Sequence, residues 1–348
     1  MTADSVLLSV DSVRTELRSP QRLWYPVVND VSLQVAAGET LAVVGESGCG
    51  KSMLAYSIMR LLPKRLARNA GGHVTLDGRD LLSLSDEQMR GVRGKDVSMV
   101  FQEPMTSLNP LMTVGRQIAE SVIEHEHCSA KEAQHRATDL MELVGIPEPR
   151  VRFAQYPHHL SGGMRQRIVI GIALACKPKV LIADEPTTAL DVTIQAQVLA
   201  LIDKLKRELG MGVILITHDL GVVAEWAQRV MVMYAGRKVE EADTEAFFTA
   251  PSHPYSRALL ASVPQPSSVV DGVVTPLAEI PGMVPQLDRL GAGCAFAQRC
   301  EFRKDYCVEA VPALRPLDPT RSAACFRADE WTVGTMIPCG EGRDRTAA

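Results

Sequence analysis

Apolar positions along this chain follow two different periods, and the switches between them mark out its elements. Residues 6–10 and 31–35 are apolar and β-branched with Pro20 and Pro26 between them, which predicts two short strands. Residues 40–44 form a continuous apolar run ending in glycine, the pattern of a strand buried on both faces. Residues 53–62 predict a helix closed by Pro63, and the apolar stretch 74–76 followed by Asp77-Gly78 predicts a hairpin. From about 113 to 176 the pattern is mostly helical. There Ser129 and Glu132 make a capping-box pattern before a helix that runs to Val144 and stops at Gly145, with Pro147 beyond. Residues 180–183 predict another buried strand. Beyond Ile194 the positions Val198, Leu201, Ile202, Leu205 and Leu209 recur at helical spacing. Residues 213–216 predict a third buried strand, followed by a short helix and a strand at 230–234.

Apolar strands alternating with helices predict a mostly parallel sheet covered by helices, an α/β body into which the helical middle is inserted. After about residue 245 the prolines at 251, 254, 264, 266, 276, 281 and 285 break the periodicity and predict a separate, loop-rich extension. The expected division is a body over 1–245 with its helical insert at about 103–178, an extension over 246–332, and a flexible tail over 333–348.

Composition narrows the class. The 348 residues exceed the ~100–200 of one ordinary domain. A hydrophobic fraction of 46% with 22% charged residues excludes disorder or a coiled coil as a reading of the whole. A net charge of −4, from 37 basic and 41 acidic residues, gives no surplus pointing to nucleic acid or an anionic membrane. Asp4, Asp11, Arg14, Glu16 and Arg18 interrupt the start of the chain, so no secretory signal is expected. The best apolar run, 168–175, falls far short of the ~20 residues of a membrane span. Any work at a membrane would therefore depend on a partner. Of eight cysteines, Cys49, Cys128, Cys176 and Cys339 stand alone, while Cys294, Cys300, Cys307 and Cys325 cluster. In a cytosolic chain such a cluster reads as a metal site before disulfides.

Three motifs carry chemistry. Gly45, Glu46, Ser47, Gly48, Cys49, Gly50, Lys51 and Ser52 match the phosphate-loop pattern in full, between a predicted strand and a predicted helix. Glycines let the backbone N–H groups and the helix N-terminus wrap a phosphate chain; Lys51 supplies a cation, and the Ser52 hydroxyl a ligand for Mg²⁺. Cys49 reads as a small filler within the loop. The strand 180–183 leads into Asp184 and Glu185, at the sheet edge where α/β folds bind ligands. Asp184 would hold Mg²⁺ and Glu185 would polarise the attacking water. Ser161, Gly162, Gly163, Met164, Arg165 and Gln166 open an amphipathic helix; Ser161 as cap and two glycines make a second anion-binding helix start.

Together, in this order and spacing, these motifs over roughly residues 5–245 resemble the ATP-binding cassette (ABC) family. The resemblance implies an α/β P-loop NTPase with an antiparallel β subdomain and an α-helical subdomain, binding ATP and Mg²⁺. It implies that Gln102 is the Q-loop glutamine touching Mg²⁺ and the γ-phosphate, that 161–166 is the signature motif, and that Thr188–Asp191 is the D-loop. It also implies that His218 is the switch histidine and that an aromatic ahead of the phosphate loop stacks on adenine. Trp24 and Tyr25 are the candidates, and Tyr25 is favoured. Met164 departs from the family's usual glutamine, a position whose role is carried by the backbone.

The segments His253-Pro254-Tyr255 and Ile280-Pro281-Gly282, with the cysteine cluster after them, look like the oligopeptide/dipeptide/nickel importer ATPases. The Met164 form of the signature looks like the first of the two ATPases in such systems. This implies a non-identical second ATPase, two permease subunits, an extracytoplasmic solute-binding protein, no nucleic acid, and a place at the cytoplasmic face of the membrane. The four clustered cysteines suit Zn²⁺ or an iron–sulfur cluster; their gaps are wider than in zinc motifs, and the resemblance points to [4Fe–4S]. The competing reading is a soluble cassette ATPase of DNA repair or the ribosome.

Overall fold

The computed structural model describes residues 6–102, 107–187, 191–263, 269–270, 273–274 and 279–331. The expected tail 333–348, Cys339, and Thr188, Ala189 and Leu190 of the D-loop lie outside the described residues.

Two sheets form the body. Strands β1 (Val6–Arg18) and β2 (Trp24–Ala36) pair antiparallel, with Leu8 opposite Val35 and Leu17 opposite Tyr25. β4 (Ala67–Leu76) pairs with β1, and β5 (Arg79–Asp80) completes the order β2-β1-β4-β5. The β4–β5 turn falls at Asp77 (φ 48°) and Gly78 (φ 73°), the left-handed pair that a tight hairpin demands. β1 and β2 are much longer than the apolar runs 6–10 and 31–35. Their polar halves are held by pairing and by Glu16, which accepts two hydrogen bonds from Arg68 (2.7 and 3.0 Å).

The second sheet carries β3 (Thr40–Val44), β6 (Val97–Val100), β7 (Val180–Asp184), β8 (Gly212–Ile216) and β9 (Arg229–Tyr234), all parallel, in the order β9-β3-β8-β7-β6. These strands are buried on both faces, which is why they read as unbroken apolar runs. β10 (Arg237–Asp243) then adds antiparallel to β9. One apolar cluster joins the two sheets through Leu8, Val28, Leu41, Leu54 and Ile216. A second lies under the helices Val114–Glu126, Ala130–Leu143 and Gly162–Leu174, with Ile118, Met141 and Ile170 fully buried.

The extension is not separate from the sheet, contrary to the proline-based expectation. A hairpin of Arg315–Asp318 and Arg321–Ala323 pairs with β10 and carries the sheet two strands further. The free edge of β10 is thereby covered, the usual fate of an edge strand. A third apolar cluster spans this junction, joining Val44 and Tyr234 of the body to Phe247, Tyr255 and Phe296 of the extension.

Candidate nucleotide site

β3 delivers the chain into the loop 45–50, and the helix α1 (Lys51–Ile58) leaves it. Gly45 (φ 150°) and Gly50 (φ 103°) could carry no side chain there. A Cβ at Gly45 would stand 2.2 Å from the Met233 carbonyl, and one at Gly50 2.5 Å from that of Val27. Gly50 caps α1 without a side-chain hydrogen bond, and no acidic residue stands in its first turn. The first N–H groups are thus left for an anion. Lys51 is buried, and its ammonium donates to the carbonyls of Gly45 (2.7 Å) and Glu46 (3.1 Å), holding it inside the loop. Cys49 is fully buried and its thiol is pushed up by burial, which fits a filler and not a nucleophile.

β7 ends beside this loop. The Ser52 hydroxyl donates to Asp184 Oδ1 (3.1 Å), while Asp184 Oδ2 is buried with no hydrogen-bond partner. Burial raises the Asp184 pKa above the usual carboxylate range. A buried carboxylate oxygen without a donor, next to a hydroxyl, is an oxygen donor set of the kind hard divalent cations take, so the residues present fit Mg²⁺. Glu185 follows in the left-handed conformation (φ 46°), with its N–H tied to the Ile216 carbonyl (2.9 Å). This off-strand geometry turns its carboxylate between two others: Gln102 Nε2 donates to Oε2 (2.9 Å), and His218 Nδ1 stands 3.4 Å from Oε1. Gln102 from the end of β6, Glu185 from β7 and His218 from β8 therefore converge at the carboxyl edge of adjacent strands.

The signature residues lie on the helical subdomain. The Ser161 hydroxyl accepts the Met164 N–H (3.3 Å) and caps the helix Gly162–Leu174. Gly163 has the helix Val192–Leu209 close by, with Ile194 Cγ2 only 2.9 Å from where a Cβ would be. Met164 is half-buried against the helical core. Gln166 is fully buried, its amide donating to the Pro186 carbonyl, so it ties this helix to the segment after Glu185 and does not face solvent. Asp191 caps the helix Val192–Leu209 through the Ile194 N–H (2.9 Å). Among the described residues, no hydrogen bond links 161–164 to the loop 45–52 of the same chain.

Of the two candidate adenine aromatics, Trp24 is already engaged. The Arg68 guanidinium lies 4.3 Å from its ring centroid and that of Arg18 5.8 Å. Tyr25 stands two residues along β2 from the Val27 carbonyl that abuts Gly50.

The four clustered cysteines form no disulfide and line one cavity with Phe296 and Phe326. Burial pushes Cys294 up and Cys300 up to about 12. No three or more His, Cys, Asp or Glu among the described residues stand close enough to hold one metal ion. The arrangement of these thiols therefore supports neither the zinc site nor the [4Fe–4S] cluster expected from the sequence.

Sequence reasoning missed two residues at the phosphate loop. The Glu46 N–H donates to the hydroxyl of Tyr255 (2.8 Å), and Arg299 grips the Glu46 carboxylate with both terminal nitrogens (2.7 and 3.0 Å). No motif or period signals either contact, since Arg299 lies 253 residues from Glu46.

The ABC transporter family profile matches residues 28–188, and the oligopeptide/dipeptide transporter C-terminal region matches 239–307. The chain is 55% identical over 325 residues (93% of this chain, 96% of the relative) to "Probable peptide ABC transporter ATP-binding protein y4tR" of Sinorhizobium fredii. It is 48% identical over 317 residues (91% and 93%) to the dipeptide transport ATP-binding protein DppD of Bacillus subtilis. It is 45% identical over 326 residues (94% and 95%) to the oligopeptide transport ATP-binding protein OppD of Salmonella typhimurium. The dimeric ATP-binding cassette MJ0796 bound to ADP and Pi superposes with a TM-score of 0.60 at 28% identity, covering 68% of this chain and 98% of that one. A transporter-type C-terminal region leaves the DNA-repair or ribosomal reading without support. No helix of the described residues is long and apolar enough to cross a membrane. The chain belongs to the ABC transporter ATPase family, whose P-loop NTPase fold and ATP-hydrolysing chemistry it shares.

Proposed function

We propose that this chain is the ATP-hydrolysing subunit of an importer for dipeptides, oligopeptides or a related small solute. The observation that carries the reading is the convergence of Gln102, Glu185 and His218 beside the phosphate loop, in a chain whose C-terminal region is of the oligopeptide type. The loop N–H groups and α1 take the phosphates, and Lys51 turns from the Gly45 and Glu46 carbonyls to the anion. Ser52, Asp184 and Gln102 would hold Mg²⁺, which would neutralise phosphate charge. Tyr25 stacks on adenine, as Trp24 is held by its two arginines. Glu185 orients the attacking water for in-line displacement, and His218 steadies the γ-phosphate from the other side of that carboxylate.

Ser161, Gly162 and Gly163 serve the nucleotide of an opposed ATPase subunit, since they share no hydrogen bond with the loop of their own chain. The bare start of the signature helix completes the charge clamp only when two subunits close. Met164 favours a non-identical partner, and the pair works on two permease subunits fed by a solute-binding protein at the cytoplasmic face of the membrane. The segment from Gln102 to Thr113 carries opening and closing to the permeases. Cys294, Cys300, Cys307 and Cys325, which line one cavity, would be the ligand set for a [4Fe–4S] cluster that would staple the extension and supply no step of the hydrolysis.

Glu185→Gln tests the catalytic assignment. The variant is expected to bind ATP as the parent does, while turnover in the assembled transporter falls by at least ~100-fold, the share of a general base. Turnover at the parent rate would sink it.

A further inference from the structure

The second residue of the phosphate loop is held by the extension through both its backbone and its side chain. The Glu46 N–H is the donor to Tyr255 Oη, from the helix Pro254–Ala261. Its carboxylate receives a parallel two-bond fork from Arg299. Arg299 is itself almost fully committed: Nε donates to the Pro281 carbonyl (2.8 Å), and its terminal nitrogens also reach the Ile280 carbonyl and Tyr234 Oη (both 3.3 Å). Its side chain is only 5% exposed, against 28% for Glu46. The ring of Phe296, three residues earlier, packs on Tyr234 and Tyr255 at 5.2 and 5.4 Å between centroids. Such a fork fixes direction as well as distance, which a lysine would not do. The loop that must wrap the phosphates is therefore oriented from a part of the chain more than 200 residues downstream.

We propose that Arg299 and Tyr255 are positioning residues by which the extension sets the phosphate loop in its nucleotide-accepting shape, making the C-terminal region a determinant of ATP affinity. The loop bearing Arg299 also bears Cys294 and Cys300, so the shape of the cysteine cavity and the shape of the phosphate loop are set together. The proposal rests on the reading of residues 45–52 as the nucleotide site.

The test is equilibrium binding of a fluorescent ATP analogue to the full chain. Arg299→Gln and Glu46→Gln are each expected to weaken binding about tenfold, and the double variant no further, as for residues acting through one contact. Arg299→Lys should recover only part of the affinity, and Tyr255→Phe, which removes the acceptor alone, should weaken it severalfold. Glu46 is the more exposed partner, so its variant keeps the test alive should Arg299→Gln fold poorly. A purely structural Arg299 would lower the unfolding midpoint yet leave the affinity of Glu46→Gln at the parent value, and that result overturns the proposal. Lys51→Ala, run alongside, separates the two ideas. If it loses nucleotide while the Arg299, Glu46 and Tyr255 variants bind as the parent does, the positioning role falls alone. If Lys51→Ala binds as the parent does, the nucleotide reading falls and the positioning role with it.

Discussion

Asp184 illustrates how a single residue gives up stability for function. A carboxylate that is 1% exposed, with one oxygen bonded to Ser52 and the other bonded to nothing, is poorly solvated by the protein around it. Its raised pKa reports the same cost. An asparagine there would keep the volume and shed the charge. Asp184→Asn is therefore expected to leave the nucleotide-free unfolding midpoint unchanged or higher, because the buried charge is gone. The same change should reduce the enhancement of nucleotide binding by Mg²⁺ on the order of 10–100-fold, as for lost metal-supporting carboxylates. Calorimetric titration of ATP with and without Mg²⁺, beside thermal melts, checks both. A lower midpoint with intact Mg²⁺ dependence would contradict the assignment.

At the scale of elements, what the sequence makes legible is whatever is local. The parallel strands appear as apolar runs because both faces of β3, β7 and β8 are covered. The phosphate loop appears because backbone approach at Gly45 and Gly50 admits only glycine. Ser129 and Ser161 appear because caps act within three residues. The hairpin 315–323 was hidden, because two short strands on an edge need little apolar patterning. The burial of Gln166 was hidden too, because a fully buried amide cannot be told from an exposed one until its partner, Pro186, is brought near by the fold.

The junction of β10 with the turn at 252–253 is another such long-range device. Glu240 is fully buried and accepts the N–H groups of Ser252 (2.6 Å) and His253 (2.9 Å). Burial raises Glu240 to about 7 from 4.5, and lowers His253 to about 3 from 6.5. Between pH 4.5 and 7 the folded chain holds a proton on Glu240 that the unfolded chain has released, so this group loses stability as pH rises. Between pH 3 and 6.5 the unfolded chain protonates the histidine and the folded one does not, so His253 loses stability as pH falls. Each slope is about 1.4 kcal/mol per pH unit, and they cancel where they overlap. The parent should thus melt at a nearly constant temperature from pH 4.5 to 6.5 and lose stability below that window. His253→Gln unmasks the glutamate, so its midpoint should fall as pH rises through the same window. Melts of both chains across the range decide it; parallel curves would contradict the coupling.

Across the whole molecule, the extension poses a problem of cohesion. Its segment 279–331 holds mostly turns and short helices, and its buried apolar residues are Phe296, Ala297, Pro312, Ala323, Ala324 and Ala328. That is too small a core to order the segment by itself. Part of the deficit is met by docking, through the hairpin on β10, the Phe296 contacts and the Arg299 fork. On the proposal above, the remainder falls to the cavity that Cys294, Cys300, Cys307 and Cys325 line, where burial disfavours thiolates unless a cation compensates them. The [4Fe–4S] cluster proposed above would supply that compensation. Protein purified without oxygen is therefore expected to be brown and to carry iron and sulfide near about four each per chain. Replacing Cys300 with serine should deplete both and lower the unfolding midpoint, because the turn that presents Arg299 to Glu46 loses its anchor. Colourless protein carrying one zinc, or an unfolding midpoint unmoved by the loss of Cys300, would mean that docking alone holds this region in place.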